Sequence, residues 1–215
     1  MKNIKYALDE YYHIFNRGVD KRKIFLDTED LARFFQSMEE FNVVEPIGSI
    51  YENFFRKKEL GGLASIASKL VNFICYCLNP NHYHFILKPI VEKGIEKFMQ
   101  RLGTGYTMYF NEKYKRNGSL FQGPYKAVYI NPENLSYVSV YVNLNNKVHQ
   151  LGGLASKSSW NEYTSNQNQT NFCDTNDILK QFNNTSKYKR FALETLEVIQ
   201  EGKREEKEIK KLFLE

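Results

Sequence analysis

Residues 71–87 read VNFICYCLNPNHYHFIL, and this stretch decides the fold. Val71 to Leu78 is rich in β-branched and aromatic residues, which suit a pleated, packed surface. Asn79-Pro80-Asn81 carries turn chemistry, and His82 to Leu87 resumes the apolar pattern, so the two runs read as a β-hairpin. Upstream, the aromatic stretch Tyr11 to Gly18 ends on Asn16-Arg17-Gly18 and reads as a strand closed by a turn. Asp27 then supplies a cap ahead of Leu31, Phe34, Phe35 and Met38 at helical spacing, which predicts a helix over about Thr28 to Phe41. Val43 to Ile50 has room for a short strand broken by Pro46 and Gly48.

Downstream of the hairpin, Ile95, Phe98, Met99, Leu102, Tyr106, Tyr109 and Phe110 predict a helix over Gly94 to Tyr114. Tyr125 to Ile130 predicts a strand, and a helix is expected to start at Pro132 and run through Asn146. The order β-α-β-β-α-β followed by a helix predicts an α+β fold, a ferredoxin-like split βαβ antiparallel sheet with helices mainly on one face. Ser156 to Thr175 is polar and expected to be loop, and from Lys187 onwards the chain reads as a charged amphipathic tail helix. The expected division is a domain over 1–150, with an insertion near 51–69, and a polar loop plus helix over 151–215. LGGLAS occurs at Leu60 to Ser65 and again at Leu151 to Ser156; two copies do not make a repeat architecture, and both read as surface insertions.

With 215 residues the chain can bury roughly 70% of its unfolded surface without disulfides. A hydrophobic share of 42% excludes a disordered or collagen-like chain, and a net charge of +5 is compatible with a polyanionic partner. Cys75, Cys77 and Cys173 are too few and too poorly spaced for a disulfide scaffold or a cysteine zinc site. No apolar run reaches the ~20 residues of a membrane span, and the start MKNIKYALDEYY lacks a signal-peptide core. A soluble, cytoplasmic protein with no membrane partner is expected.

His82 and His84 are two apart on a strand, so both imidazoles project from one face and make half a metal site. An H-x-H in a strand is ordinarily a pair of surface histidines. Here two of only four histidines in the chain sit together directly after the turn. Tyr137, Tyr141, Asn145 and His149 lie at i, i+4 positions of the Pro132 helix and share one stripe. Tyr137 reads as a packing residue, whereas Asn145 offers a carbonyl oxygen to a hard cation. A tyrosine one turn from that ligand holds its phenol near whatever the metal binds, and a divalent ion polarising a phosphodiester under tyrosine attack is a coherent chemical unit.

The motif N-H-Y-H-F-I-L at Asn81 to Leu87 resembles the HUH motif of single-tyrosine transposases, in particular the REP-associated tyrosine transposases and their insertion-sequence relatives. HIFNRG at His13 to Gly18 is similar to their opening strand. YTMYFNEKYKRNGSLFQGPYKA at Tyr106 to Ala127 resembles the stretch after their second helix, and YVNLNN at Tyr141 to Asn146 resembles their nucleophile helix. The likeness spans about residues 6–150, departing at Asn79, where Met is usual, and Asn146, where Pro is common. It implies a single-stranded DNA endonuclease and strand transferase, a transposase that cleaves and rejoins hairpin ends through a 5′-phosphotyrosine. It further implies Tyr141 as nucleophile, His82, His84 and Asn145 as ligands of Mg²⁺ or Mn²⁺, and a homodimer.

Asn16, Arg17, Lys113, Lys115, Arg116 and Lys126 are the candidate contacts to single-stranded or hairpin DNA. Tyr106, Tyr109, Tyr114, Phe121 and Tyr125 interleave with the second basic cluster, as in surfaces that stack bases. The mixed run Lys203-Arg204-Glu205-Glu206-Lys207 reads as a solvated helix face. Two other classes remain: a catalytically idle single-strand binder, and a metal-dependent hydrolase using water, which would have no use for Tyr141.

Overall fold

The structure is a computed structural model that describes residues 5–59, 68–149, 151, 156–165 and 172–212. Strand β1 spans Tyr11–Arg17, helix α1 Thr28–Glu40, α2 Ile50–Glu59, β2 Val71–Asn79, β3 His82–Pro89, α3 Gly94–Lys113 and β4 Lys126–Ile130. Then follow α4 Leu135–Asn143, α5 Asn145–Val148, a two-residue strand β5 Lys157–Ser158, α6 Trp160–Thr164, α7 Asn176–Leu179 and the long α8 Thr185–Leu212. The sheet order is β4-β1-β3-β2-β5 and every pairing is antiparallel. The first four strands have the expected split βαβ topology, and β5 extends its edge.

The near-continuous apolar runs of β2 and β3 have a simple cause: both faces of the central hairpin are covered. On one face Phe73, Leu78, Tyr83, Phe85 and Leu87 pack with Leu31, Phe34 and Met38 of α1 and Ile95, Phe98 and Leu102 of α3. On the other, Ile74, Cys75, Cys77 and Ile86 pack with Val140 of α4, Tyr163 of α6 and Tyr188, Ala192, Leu196 and Ile199 of α8. A register shift between Phe73 and Cys75 puts Ile74 and Cys75 on the same side, after which strict alternation returns. The β2–β3 turn is pinned from below, the Pro80 carbonyl accepting from Ile24 N at 2.7 Å and Phe25 N at 3.1 Å.

Helix α1 starts where its cap requires, the Asp27 carboxylate accepting from Asp30 N at 2.8 Å. Three stretches differ from the sequence-based expectation. Val43 to Ile50 forms no strand; its carbonyls at Val43 and Val44 are taken by the Arg101 guanidinium, and α2 begins at Ile50. The polar segment after Ser156 contains β5 and α6, because Ser159 Oγ accepts from Tyr76 N at 2.9 Å and donates to Asn143 Oδ1 at 2.6 Å. The helix expected from Pro132 through Asn146 is a 3₁₀ turn at Pro132–Asn134, then α4, then α5, joined at Leu144 with φ −108° and ψ 18°. Residues 60–65 and 152–155 lie outside the described residues, so of the two LGGLAS copies only Leu151 and Ser156 are described. Among the described residues no helix is long and apolar enough to cross a membrane.

Candidate active site

His82 and His84 share β3 parity with Ile86 and therefore face the side covered by α4. Their rings lie 5.1 Å apart, centroid to centroid, and the His84 ring meets the Tyr141 ring edge-on at 5.7 Å. Asn145, fully buried, brings Oδ1 to 3.0 Å from His82 Nε2. The break at Leu144 does not scatter the stripe: Leu144 N still donates to Val140 O at 3.0 Å and His149 N to Asn145 O at 3.0 Å. His82, His84, Tyr141, Asn145 and His149 thus come together, whereas Tyr137 is about half exposed and stands apart.

Asn79 sits opposite His82 in the hairpin register, and its Nδ2 donates to Asn145 Oδ1 at 2.9 Å and lies 3.0 Å from His82 Nε2. Asn79 is therefore a polar brace between strand and helix. Asn81 Oδ1 lies 2.6 Å from His82 Nδ1. Asn145 Nδ2 is buried without a hydrogen-bond partner, a rarity in a folded core.

One residue of the cluster escaped the sequence reading. His13 on β1 places Nε2 at 2.8 Å from His84 Nδ1, and its ring lies 6.0 Å from that of Tyr141. The available signal was the alternation of Tyr11, His13 and Phe15 on a strand that pairs with β3, with Phe15 opposite His84. By occupying Nδ1, His13 orients the His84 ring and leaves its Nε2 free of that contact.

Burial holds all four imidazoles neutral at neutral pH. His13 and His149 fall to about 4, His82 lies below the ordinary value, and His84 lies well below it, pushed first by burial and then by His13. Burial raises the Tyr141 phenol, opposed by the Asn145 side chain. Neutral imidazoles and an amide oxygen are competent donors to a divalent cation. Two cis ligands at ~2.1 Å from one octahedral ion stand ~3.0 Å apart, which is the spacing between His82 Nε2 and Asn145 Oδ1. Among the described residues no three His, Cys, Asp or Glu form a metal cluster, so a site here depends on the Asn145 amide. The donor chemistry of all three residues and the spacing of His82 and Asn145 fit the divalent ion that the sequence suggests.

The basic candidates divide. Asn16 Nδ2 donates to Gly123 O at 3.1 Å, the Arg17 guanidinium bonds the Gln122 side chain, and Gly18 bridges to Phe121. The end of β1 and the 115–126 loop are thus one surface, on which Lys115 and Lys126 are exposed and Arg116 is held by Asn111 Oδ1 at 2.8 Å and Ser119 O at 3.2 Å. Lys113 does not belong to it. Its ammonium is held by Asp27, Asp30 and Glu29 at 2.8, 3.0 and 3.3 Å at the start of α1. Of the interleaved aromatics, Tyr106 and Phe121 lie in the core, Tyr106 donating to Ile24 O, while the partly buried Tyr109 and Tyr114 donate to Asp30 and the partly buried Tyr125 accepts from Tyr6.

Residues 62–145, a span that contains β2, β3, α3, β4 and α4 and ends at Asn145, match the family model described as "Transposase IS200 like". Over these residues, fewer than half of the chain, the sequence is similar to the IS200-like transposases. The matched segment contains His82, His84, Tyr141 and Asn145 and stops before α8. Solved structures that align with the fold include a REP-associated tyrosine transposase bound to a REP hairpin, at 12% identity and a TM-score of 0.41, covering 69% of this chain and 73% of that one. A bacterial tRNA(His) guanylyltransferase-like protein in complex with GTP aligns at 9% identity and a TM-score of 0.39, covering 69% and 68%. No curated protein sequence matches the chain.

Proposed function

We propose that this chain is an IS200-like DNA transposase that cuts and rejoins single-stranded or hairpin-end DNA by way of Tyr141. The observation that carries the reading is the convergence of Tyr141, two neutral imidazoles and the Asn145 amide on one side of the sheet. In the cleavage step Tyr141 Oη attacks the scissile phosphorus and the P–O3′ bond breaks. The products are a 5′-phosphotyrosine and a 3′-OH, the phenolic proton reaching the 3′ oxygen through solvent. Attack by another 3′-OH reverses the step and rejoins DNA without an external energy source. His82, His84 and Asn145 would hold Mg²⁺ or Mn²⁺, which supplies Lewis-acid polarisation of the phosphate when bound. The orphaned Asn145 Nδ2 then finds its acceptor among the oxygens that enter the site with substrate.

DNA would be held by Asn16, Arg17, Lys115, Arg116 and Lys126, on the surface formed by the end of β1 and the 115–126 loop. The proposed assembly is a homodimer. The test is incubation of 5′- and 3′-labelled hairpin DNA with the protein and Mg²⁺ or Mn²⁺, followed by a denaturing gel. A covalent protein–DNA adduct supports the reading. Cleavage without adduct identifies a water-using hydrolase, and a mobility shift without cleavage identifies a binder.

A further inference from the structure

Helix α8 lies beyond the segment that matches the family model, yet it reaches the centre of the site. Leu196 and Ile199 are buried in the core on the α4 face, and Gln200 Nε2 donates to Lys147 O of α5 at 3.1 Å. These contacts fix the rotation of α8, and three residues on, roughly one turn, they direct Lys203 inward. Its Nζ stands 3.0 Å from His149 Nε2 and 5.5 Å from the centroid of the Tyr141 ring. The adjacent Arg204, Glu205 and Glu206 are exposed, so among the described side chains of the run Lys203 is the one that turns to the site.

The placement has chemical consequences. The hydrogen-bond partner of Lys203 is an imidazole rather than a carboxylate. Partial burial also lowers the Lys203 pKa, with Glu206 opposing. A partly buried ammonium beside a nucleophile is placed to bind an arriving anion, and the anion required at Tyr141 is a phosphodiester. His149 is the support: accepting from Nζ on Nε2, it holds the lysine toward the Tyr141 face, and its ring lies 5.8 Å from that of His82.

We infer that Lys203 is a catalytic residue of this chain, donating from Nζ to a non-bridging oxygen of the scissile phosphate as Tyr141 Oη attacks. This deepens the proposed function and rests on it. The bonds made and broken are those of the Tyr141 step, and Lys203 keeps its proton while stabilising the charge that grows on phosphorus oxygens.

The experiment measures single-turnover adduct formation at saturating hairpin DNA for the wild type, Lys203→Met and Lys203→Arg, with hairpin affinity and thermal midpoint recorded for each. Met keeps the stem and removes the charge; Arg keeps the charge. For Lys203→Met the expected adduct rate falls roughly 100-fold, the scale of removing one donor from a developing oxyanion. Lys203→Arg recovers most of that rate, and midpoints agree within about 2 °C, as for a surface substitution in a domain of this size. A Met variant that forms adduct at the wild-type rate overturns the inference. A faster Met variant also overturns it, since α8 would then be shielding the site. An Arg variant as slow as Met, with an unchanged midpoint, rules out the charge as the active feature. Absence of adduct in the wild type refutes the underlying transposase reading instead, so the two failures are distinguishable.

Discussion

Lys113→Met separates the sequence reading of the basic cluster from the structural one. The ammonium is the counter-charge to Asp30, whose side chain is 0% exposed, and it also meets Asp27 and the largely exposed Glu29. Losing one partner of a buried ion pair costs about 3–5 kcal/mol when the remaining charge has no other support. Asp30 does have support: Leu26 N at 2.8 Å, Tyr114 Oη at 2.8 Å and Tyr109 Oη at 3.2 Å all donate to it. Glu29 adds almost nothing, being solvated. The expected loss is therefore at or below the lower limit of that range, about 2–3 kcal/mol, or roughly 4–12 °C in Tm for a chain of this size. Urea denaturation and a thermal melt read the stability, and a hairpin titration at several salt concentrations reads the DNA side, where neither affinity nor salt slope is expected to change. A variant of wild-type stability with weaker, less salt-sensitive DNA binding would refute the internal assignment and return Lys113 to the DNA surface.

Replacing Arg17, Lys115 and Arg116 together by Gln is expected to weaken hairpin binding and flatten its salt dependence, by about 0.7–0.9 in log–log slope for each phosphate no longer neutralised; an unchanged slope would put these charges away from DNA. Asp177 accepts from Tyr11 Oη at 2.7 Å and pairs with Lys180 and Lys88, and the Tyr11 bond leads in lowering its carboxyl to about 2. A depressed carboxylate stabilises the fold above its unfolded pKa of ~3.9, and that contribution fades as pH falls towards 2. Asp177→Asn should thus cost about 1–2 kcal/mol at pH 7 and nearly nothing near pH 2, read from urea midpoints across that range; a cost independent of pH would contradict the linkage.

The sheet was legible because its signals are local. The apolar runs of β2 and β3, the Asn79-Pro80-Asn81 turn and the Asp27 cap each act within a few residues. The parity of His82 and His84 survived because the register shift falls at Ile74 on β2, leaving β3 regular. What was missed depends on partners distant in sequence. Nothing near Ser159 announces that it closes a hydrogen-bond set with Tyr76 and Asn143, so a polar stretch concealed β5 and α6. The role of His13 required the pairing of β1 with β3, 71 positions away. The aromatics around Arg116 carried the spacing of a stacking surface and the burial of a core, and alternation with basic residues cannot separate the two. In the tail, Arg204 to Glu206 are solvated as the mixed charges suggest, while Lys203 is turned inward by contacts of α8 with α5 that no local pattern encodes.

The chemistry proposed for this site turns on the Tyr141 hydroxyl. Tyr141→Phe keeps the ring that packs against His13 and His84 and removes one oxygen, so folding, divalent-metal binding and hairpin binding should persist close to wild type. Labelled hairpin DNA incubated with Mn²⁺ and resolved on a denaturing gel should give a covalent protein–DNA band and a free 3′-OH fragment for the wild type, and neither for the Phe variant. An adduct that survives in Tyr141→Phe, or cleavage that continues without one, would contradict the assignment of Tyr141 as the nucleophile.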